Sequence, residues 1–203
     1  MTFAKAEEYY RKRIEEVAAM KPSPWSFMCA ACCIEFLTKL AGWRKQIGYN
    51  KFIETYMPES YINFEYTNKK KDLPDQIYEI LRCGLLHSFN VLPTPSNKNG
   101  RHRSILISNS GNNLKLIEGF NIDGGSALLV FDDFIKDINK SKNKLFSDPT
   151  KRSKIEEEFQ KNPPIQEIYN QIHSINPRLL GGTSLETLNN HSNITAEAAS
   201  ASG

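Results

Sequence analysis

The sequence predicts a mainly α-helical protein, a helical bundle with extra helices and one inserted β-hairpin. Three observations indicate this class. Apolar residues repeat at helical spacing through most of the N-terminal half, two short β-rich runs stand close together within residues 103–120, and a long helical pattern follows them. The 203 residues are 39% hydrophobic and 24% charged, which is ordinary for one globular domain with a full core.

The N-terminal half contains four predicted helices, and their boundaries follow from local signals. Pro22 ends the first helical pattern. Ser23 can cap the next helix. Pro24 suits the first helical position, because a backbone N–H at that position would make no hydrogen bond within the helix and its absence costs nothing. Asp72 and Pro74 begin a later helix in the same way. The predicted helices cover residues 3–20, 24–43, 46–57 and a stretch starting at 72, with residues 60–71 irregular.

The C-terminal half begins with the loop-like stretch 91–101. The runs RSILIS and LKLIEGF are rich in β-branched and apolar residues and flank NSGNN, a pattern typical of a β-hairpin. After Gly124 and Gly125, ALLVFDDFIKDINKSKNKLF is predicted to be one long helix, followed by shorter helices around 151–160 and 164–175. We expect one domain over residues 1–177 and a disordered polar tail over 178–203.

Composition argues against several classes of protein. No run reaches the roughly 18 apolar residues of a membrane span, and the N-terminus lacks the apolar core of a signal peptide, so we expect a cytoplasmic protein without membrane contact. Cys29, Cys32 and Cys33 lie together on one apolar helix, and Cys83 stands alone. This pattern fits small buried thiols better than a disulfide framework or a zinc site, so neither a metal nor another cofactor is expected.

The stretch RCGLLH, at the end of an apolar helix, carries the chemistry of interest. Histidine exchanges protons near neutral pH, and arginine presents a planar fork of donors that matches phosphate oxygens. Together they suit cleavage of RNA without a metal, because RNA supplies its own 2′-hydroxyl nucleophile. Arg82 and His87 would lie roughly 140° apart on an ideal α-helix, so they would converge only if the helix loosens after Gly84 or across a dimer.

Each of these residues also has an ordinary structural interpretation. Arg82 can pair with Glu79 or another acid, and His87 can interact favourably with the helix dipole at a C-terminus. Glu35, in the apolar helix, can either reach Arg82 as a buried partner or face solvent.

Positive charge is concentrated around this stretch. The net charge of the chain is +3, yet residues 67–103 contain seven Lys and Arg against three Asp and Glu. Such a segment can attract the RNA backbone, although lysine-rich loops are also common as solvated surface. The candidate backbone-binding residues are Lys69, Lys70, Lys71, Arg101, His102 and Arg103.

RCGLLH fits the R-x4-6-H pattern of the HEPN superfamily, and the phrases YEILRCGLLHS and VFDDFIKDI resemble uncharacterised bacterial members. The resemblance covers the organisation of residues 3–175. It implies a HEPN-like four-helix bundle, often dimeric with two motifs meeting at the interface, and frequently a metal-independent RNase of toxin or defence systems. On this resemblance Arg82 would bind the scissile phosphate and His87 would transfer protons. Cys83, a further weak candidate for substrate contact, stands where many members have Asn or Asp.

Two functional hypotheses follow. The first is a metal-independent endoribonuclease of HEPN type, a homodimer in a bacterial or archaeal cytoplasm, acting on RNA and controlled by an antitoxin or another protein partner. The alternative is a non-catalytic HEPN-like helical module that binds a protein partner or a nucleotide. DNA binding ranks last, because no helix combines a basic face with a helix-turn-helix pattern.

Overall fold

The computed structural model describes residues 2–84, 104–118 and 125–161. These residues form a mainly helical protein with a small three-stranded sheet. The α-helices are α1 (Phe3–Ala18), α2 (Pro24–Leu40), α3 (Lys45–Tyr56), α4 (Glu59–Asn63), α5 (Leu73–Gln76), α6 (Phe131–Ser147) and α7 (Arg152–Lys161). A π-helix, Ile77–Gly84, continues directly from α5, and a short 3₁₀-helix, Pro149–Lys151, precedes α7.

Helix α2 lies at the centre of the described fold. Its start is capped as the sequence predicts: the Ser26 N–H donates to the Ser23 hydroxyl at 3.2 Å, and the Ser23 N–H donates to the Ser26 hydroxyl at 2.8 Å. The helix contacts α1, α3, α6, α7 and the π-helix, so it is buried on most sides, and an almost continuously apolar sequence suits that environment. Gly42, with a φ of 82°, supplies the left-handed conformation after its end.

The three strands form a sheet in the order β1-β3-β2, with β1 at Ser104–Ser108, β2 at Lys115–Ile117 and β3 at Ser126–Val130. Strand β3 pairs in parallel with β1 and antiparallel with β2. The predicted hairpin over residues 103–120 is therefore wrong in its pairing. Both of its strands exist, but each pairs with β3 between them.

The predicted pairing is wrong because the residues of β3 are assigned to a helix in the sequence analysis. The sequence predicts one long helix from Ala127 onward, whereas residues 126–130 are a strand and the helix begins at Phe131. Ala127 and Leu129 are fully buried, and the central strand of a sheet reads as a continuous apolar run. Hydrophobic periodicity does not distinguish such a short run from the first turn of a buried helix.

The other predicted elements are mostly confirmed. Helices α1 and α2 lie within the predicted ranges 3–20 and 24–43, and α3 matches the range 46–57 shifted by one residue. Helix α7 corresponds to the helix predicted around 151–160. Residues 60–71 are not wholly irregular, because α4 occupies their beginning and buries Tyr61 completely; a helix of 5 residues is too short to show a period. The predicted helix at 164–175, the domain end at 177 and the tail 178–203 lie outside the described residues.

Within the described residues, no single helix has the length and apolar content to cross a membrane. Helices α2 and α3 pass that test only as a pair, and they are bent by 93° relative to each other.

Candidate functional site

Arg82 lies on a π-helix instead of the predicted α-helix. Ile77, Ile80 and Leu81 point into the core, while Tyr78, Arg82 and Cys83 are half-buried at its surface. In a π-helix the backbone bonds run from i to i+5, so each turn contains more residues than an α-helical turn. Such windings are rare and are frequently found at functional sites. The winding at Arg82, Cys83 and Gly84 therefore differs from the ideal α-helix on which the predicted separation of Arg82 and His87 is based.

The guanidinium of Arg82 forms a two-pronged ion pair with the carboxylate of Glu35 on α2. Arg82 Nε donates to Glu35 Oε2 at 2.8 Å, and Nη2 donates to Oε1 at 3.2 Å. The side chains are 22% and 23% exposed, so the pair is largely shielded from water. Of the two sequence interpretations of Glu35, partner of Arg82 or solvent-facing acid, the first is confirmed; no ion pair joins Arg82 to Glu79.

Electrostatics of the pair favour its charged form. Hydrogen bonding from Arg82 lowers the pKa of Glu35 below its ordinary value of 4.5, and Lys39 adds to this effect through its own ion pair at 3.1 Å. The Glu35 carboxylate in turn raises the pKa of Arg82. Glu35 carries one negative charge against the two positive charges of Lys39 and Arg82, so a net positive charge remains at this point.

Tyr78 fixes the arginine from a second side. The guanidinium carbon of Arg82 lies 5.7 Å from the centroid of the Tyr78 ring, within cation–π range. The Tyr78 ring packs edge-to-face on Tyr49 with centroids 5.1 Å apart. Tyr49 is buried, and its hydroxyl donates to the Ala31 carbonyl of α2 at 3.2 Å. The arginine is therefore held by residues anchored in α2 and α3 as well as by its own helix.

Cys83 lies beside the remaining edge of the guanidinium. Arg82 Nη1 is 3.7 Å from the Cys83 sulfur, and a thiol sulfur is a weak acceptor. The side chains Glu35, Lys39, Tyr78, Arg82 and Cys83 are called the Arg82 cluster below. Two nitrogens of Arg82 are thus satisfied by Glu35. Among the described residues the third, Nη1, is near only the Cys83 sulfur, and it can bind a stronger acceptor such as a phosphate oxygen.

The cysteines of α2 are present as free thiols. Burial raises the pKa of Cys29 and of Cys32, and raises that of Cys33 to about 12, so all three are protonated at neutral pH. The described residues include no group of three or more His, Cys, Asp or Glu placed to hold a metal ion.

The structure does not bring the predicted lysines, Lys69, Lys70 and Lys71, into this cluster. Lys69 and Lys71 pair with Glu65 at 3.1 and 3.7 Å on the surface loop before α5, and Lys70 is exposed beside them. No hydrogen bond or ion pair joins these lysines to Arg82. The remaining predicted site residues, His87, Arg101, His102 and Arg103, lie outside the described residues.

Sequence reasoning missed the roles of Tyr78 and Lys39. Each stands four residues from its partner on the same helix, Tyr78 from Arg82 and Lys39 from Glu35, and this spacing is a usable signal for side-chain contact.

Comparison of the chain with protein-family models, with curated proteins and with solved structures finds no match in any of the three.

Proposed function

We propose that this chain is a HEPN-like, metal-independent endoribonuclease in which Arg82 binds the scissile phosphate and His87 transfers protons. The observation that carries the proposal is the state of Arg82. Its guanidinium is fixed by Glu35 and Tyr78, yet within the described part of the chain its Nη1 edge contacts only the weak acceptor Cys83. A preorganised donor with an unsatisfied edge is what stabilisation of a phosphate in the transition state requires.

In the proposed mechanism, Cys83 leaves the third nitrogen of Arg82 accessible to the substrate phosphate. An Asn or Asp at the same position would offer the arginine a strong oxygen acceptor. The thiol sulfur competes only weakly for Nη1, so a phosphate oxygen can replace it at little cost. The departure from the common family pattern is therefore compatible with activity.

The proposed reaction is attack of the RNA 2′-oxygen on the adjacent phosphorus. The bond from the 2′-oxygen to phosphorus forms, the bond from phosphorus to the 5′-oxygen breaks, and the products are a 2′,3′-cyclic phosphate and a 5′-hydroxyl. His87 takes the 2′-hydroxyl proton, and a protonated His87 of a second copy supplies a proton to the departing 5′-oxygen. This step needs the homodimer that the family resemblance implies, and it suits a cytoplasmic toxin or defence protein controlled by an antitoxin.

A second candidate function is a non-catalytic HEPN-like module that binds a protein partner or a nucleotide. The ion pair itself favours it, because Glu35 already neutralises part of the Arg82 charge and ties α2 to the π-helix. In this account the pair is structural, and Arg82→Ala alters stability without any effect on RNA.

Growth of cells on induction separates the two candidates. Wild type should stop growth and degrade total RNA on a gel, whereas Arg82→Ala and His87→Ala should do neither while remaining soluble. Arg11→Ala is the matched control, since Arg11 also forms a two-pronged pair with a glutamate but lies on α1. Equal behaviour of all four proteins would refute the RNase and favour the binding module.

A further inference from the structure

A second concentration of positive charge surrounds Trp43, in the connection between α2 and α3. The Lys51 ammonium of α3 lies 4.9 Å from the centroid of the Trp43 ring, and the Lys151 ammonium of the 3₁₀-helix lies 4.5 Å from it. Attraction to the indole ring holds each cation, although two like charges gathered at one ring repel each other. Trp43, Lys45, Lys51 and Lys151 are called the Trp43 surface below.

The three lysines of this surface form no ion pair with any acid in the described part of the chain. Among the described residues, no ion pair is formed by Lys45, Lys51 or Lys151, although Lys51 and Lys45 are exposed and Lys151 is half-exposed. The Lys151 ammonium donates only to the Ala41 carbonyl, at 3.4 Å.

The other cations near the Trp43 surface, in contrast, form ion pairs with acidic side chains. Arg44 pairs with Glu158, and Lys154 pairs with both Glu157 and Glu158. Asp148 interacts electrostatically with Lys151 without forming an ion pair, and its carboxylate accepts hydrogen bonds from Tyr56 and Thr150. The protein thus supplies acids for the cations around the Trp43 surface but leaves its own lysines available to an external anion.

The Trp43 surface is continuous with the Arg82 cluster. One small cavity is lined by Glu35, Lys39 and Tyr78 of that cluster and also by Trp43, Arg44 and Lys45. Glu35 and Tyr78 both contact the Arg82 guanidinium, so the walls of this cavity connect its two partners to Trp43 and Lys45.

We infer that the Trp43 surface binds the phosphates of a single-stranded RNA whose scissile bond lies at Arg82. The inference rests on the proposed function and adds the surface along which the substrate RNA lies. Spaced cations beside an aromatic ring are typical of surfaces that follow a single-stranded backbone. Because two lysine ammonium groups already lie against the Trp43 ring, the contact between this surface and RNA is electrostatic and does not depend on stacking of a base on the ring. Binding should therefore be largely independent of the RNA sequence.

The test is binding of a fluorescent single-stranded RNA, measured by anisotropy at several salt concentrations. All variants carry His87→Ala, which prevents the proposed cleavage and keeps Arg82. Adding Lys51→Gln and Lys151→Gln should weaken binding about tenfold at low salt and reduce the slope of log K against log salt by about 1.4, since two phosphate contacts are lost. Lys51→Arg with Lys151→Arg should restore binding, because the charges return.

The matched control is Lys136→Gln with Lys144→Gln, two exposed lysines of α6. This pair should leave affinity and salt slope unchanged. If both pairs weaken binding equally, or if neither does, the Trp43 surface is not the RNA path. If the lysine variants weaken binding but wild-type protein never cuts RNA, the surface stands and the RNase proposal fails. If wild type cuts RNA and the lysine variants bind it normally, this inference alone fails.

Discussion

Two regions of the molecule contain the same ion-pair geometry in different settings. On α1, Arg11 Nε and Nη2 donate to Glu8 at 2.9 and 2.8 Å; between the π-helix and α2, Arg82 Nε and Nη2 donate to Glu35 at 2.8 and 3.2 Å. The first pair lies within one helix, with side chains 41% and 49% exposed. The second joins two helices and is 22% and 23% exposed.

The third nitrogen of each guanidinium shows what the difference means. Arg11 Nη1 donates to a second carboxylate, Glu15, at 2.6 Å, so acids satisfy the whole fork. For Arg82 Nη1, the Cys83 sulfur at 3.7 Å is the only acceptor that the described residues supply. Similar contacts thus produce a saturated surface arginine in one region and a fixed, partly unsatisfied arginine in the other. Only the second joins two helices and, among the described residues, keeps one guanidinium nitrogen without an oxygen acceptor.

The largest difference between the regions is expected in stability. Arg82→Ala should lower the free energy of unfolding by about 1–2 kcal/mol, because Glu35 stays half-buried with only Lys39 as a partner. Arg11→Ala should cause no resolvable change, since water solvates the exposed Glu8 and Glu15. Urea unfolding followed by circular dichroism measures both. Equal losses for the two variants would show that burial does not distinguish the pairs.

A smaller effect is expected from pH. The folded-state pKa of Glu35 lies below its ordinary 4.5, so its contribution to stability is present above that pH and is lost as pH falls through the folded value. The difference in unfolding free energy between wild type and Glu35→Gln should therefore be greatest near neutral pH and vanish in acid. Glu54→Gln, at an exposed position of α3, is the control and should show no such trend. A difference that stays constant down to acid pH would contradict the ion-pair account.

The smallest loss of stability is expected from replacing Tyr78, whose ring lies against the Arg82 guanidinium. Tyr78→Leu removes the cation–π contact and the edge-to-face contact with Tyr49, and should cost about 0.5–1 kcal/mol. Tyr78→Phe keeps both ring contacts and should be close to wild type. Thermal unfolding of the two variants tests this order, and a larger loss for Phe than for Leu would show that the hydroxyl matters more than the ring.

The helical part of the fold is predictable because its signals are local. Ser23 and Pro24 mark the start of α2, and the predicted cap is formed. The sheet is different, because pairing depends on residues distant in sequence. Ser104 aligns with Ser126 in the parallel register, and no local pattern in the short run 126–130 indicates that a strand lies there between two others.

The site was predictable only in part, for a similar reason. Arg82 stands out in a stretch that otherwise buries Ile and Leu, and Glu35 was visible as a lone acid in an apolar helix. Their pairing across 47 positions, and the π-helical winding that presents Arg82, depend on packing between helices. Lys51 and Lys151 meet at the Trp43 ring although they are distant in sequence, so no local pattern groups them.

The central claim is that Arg82 acts on RNA as well as holding two helices together. Its most direct test is cleavage of a single-stranded RNA by purified protein in the presence of EDTA. Wild type and Arg11→Ala should produce fragments ending in a 2′,3′-cyclic phosphate, and Arg82→Ala should be slower by about a hundredfold or more. Absence of cleavage by folded wild type, or cleavage by Arg82→Ala at the wild-type rate, would contradict the claim.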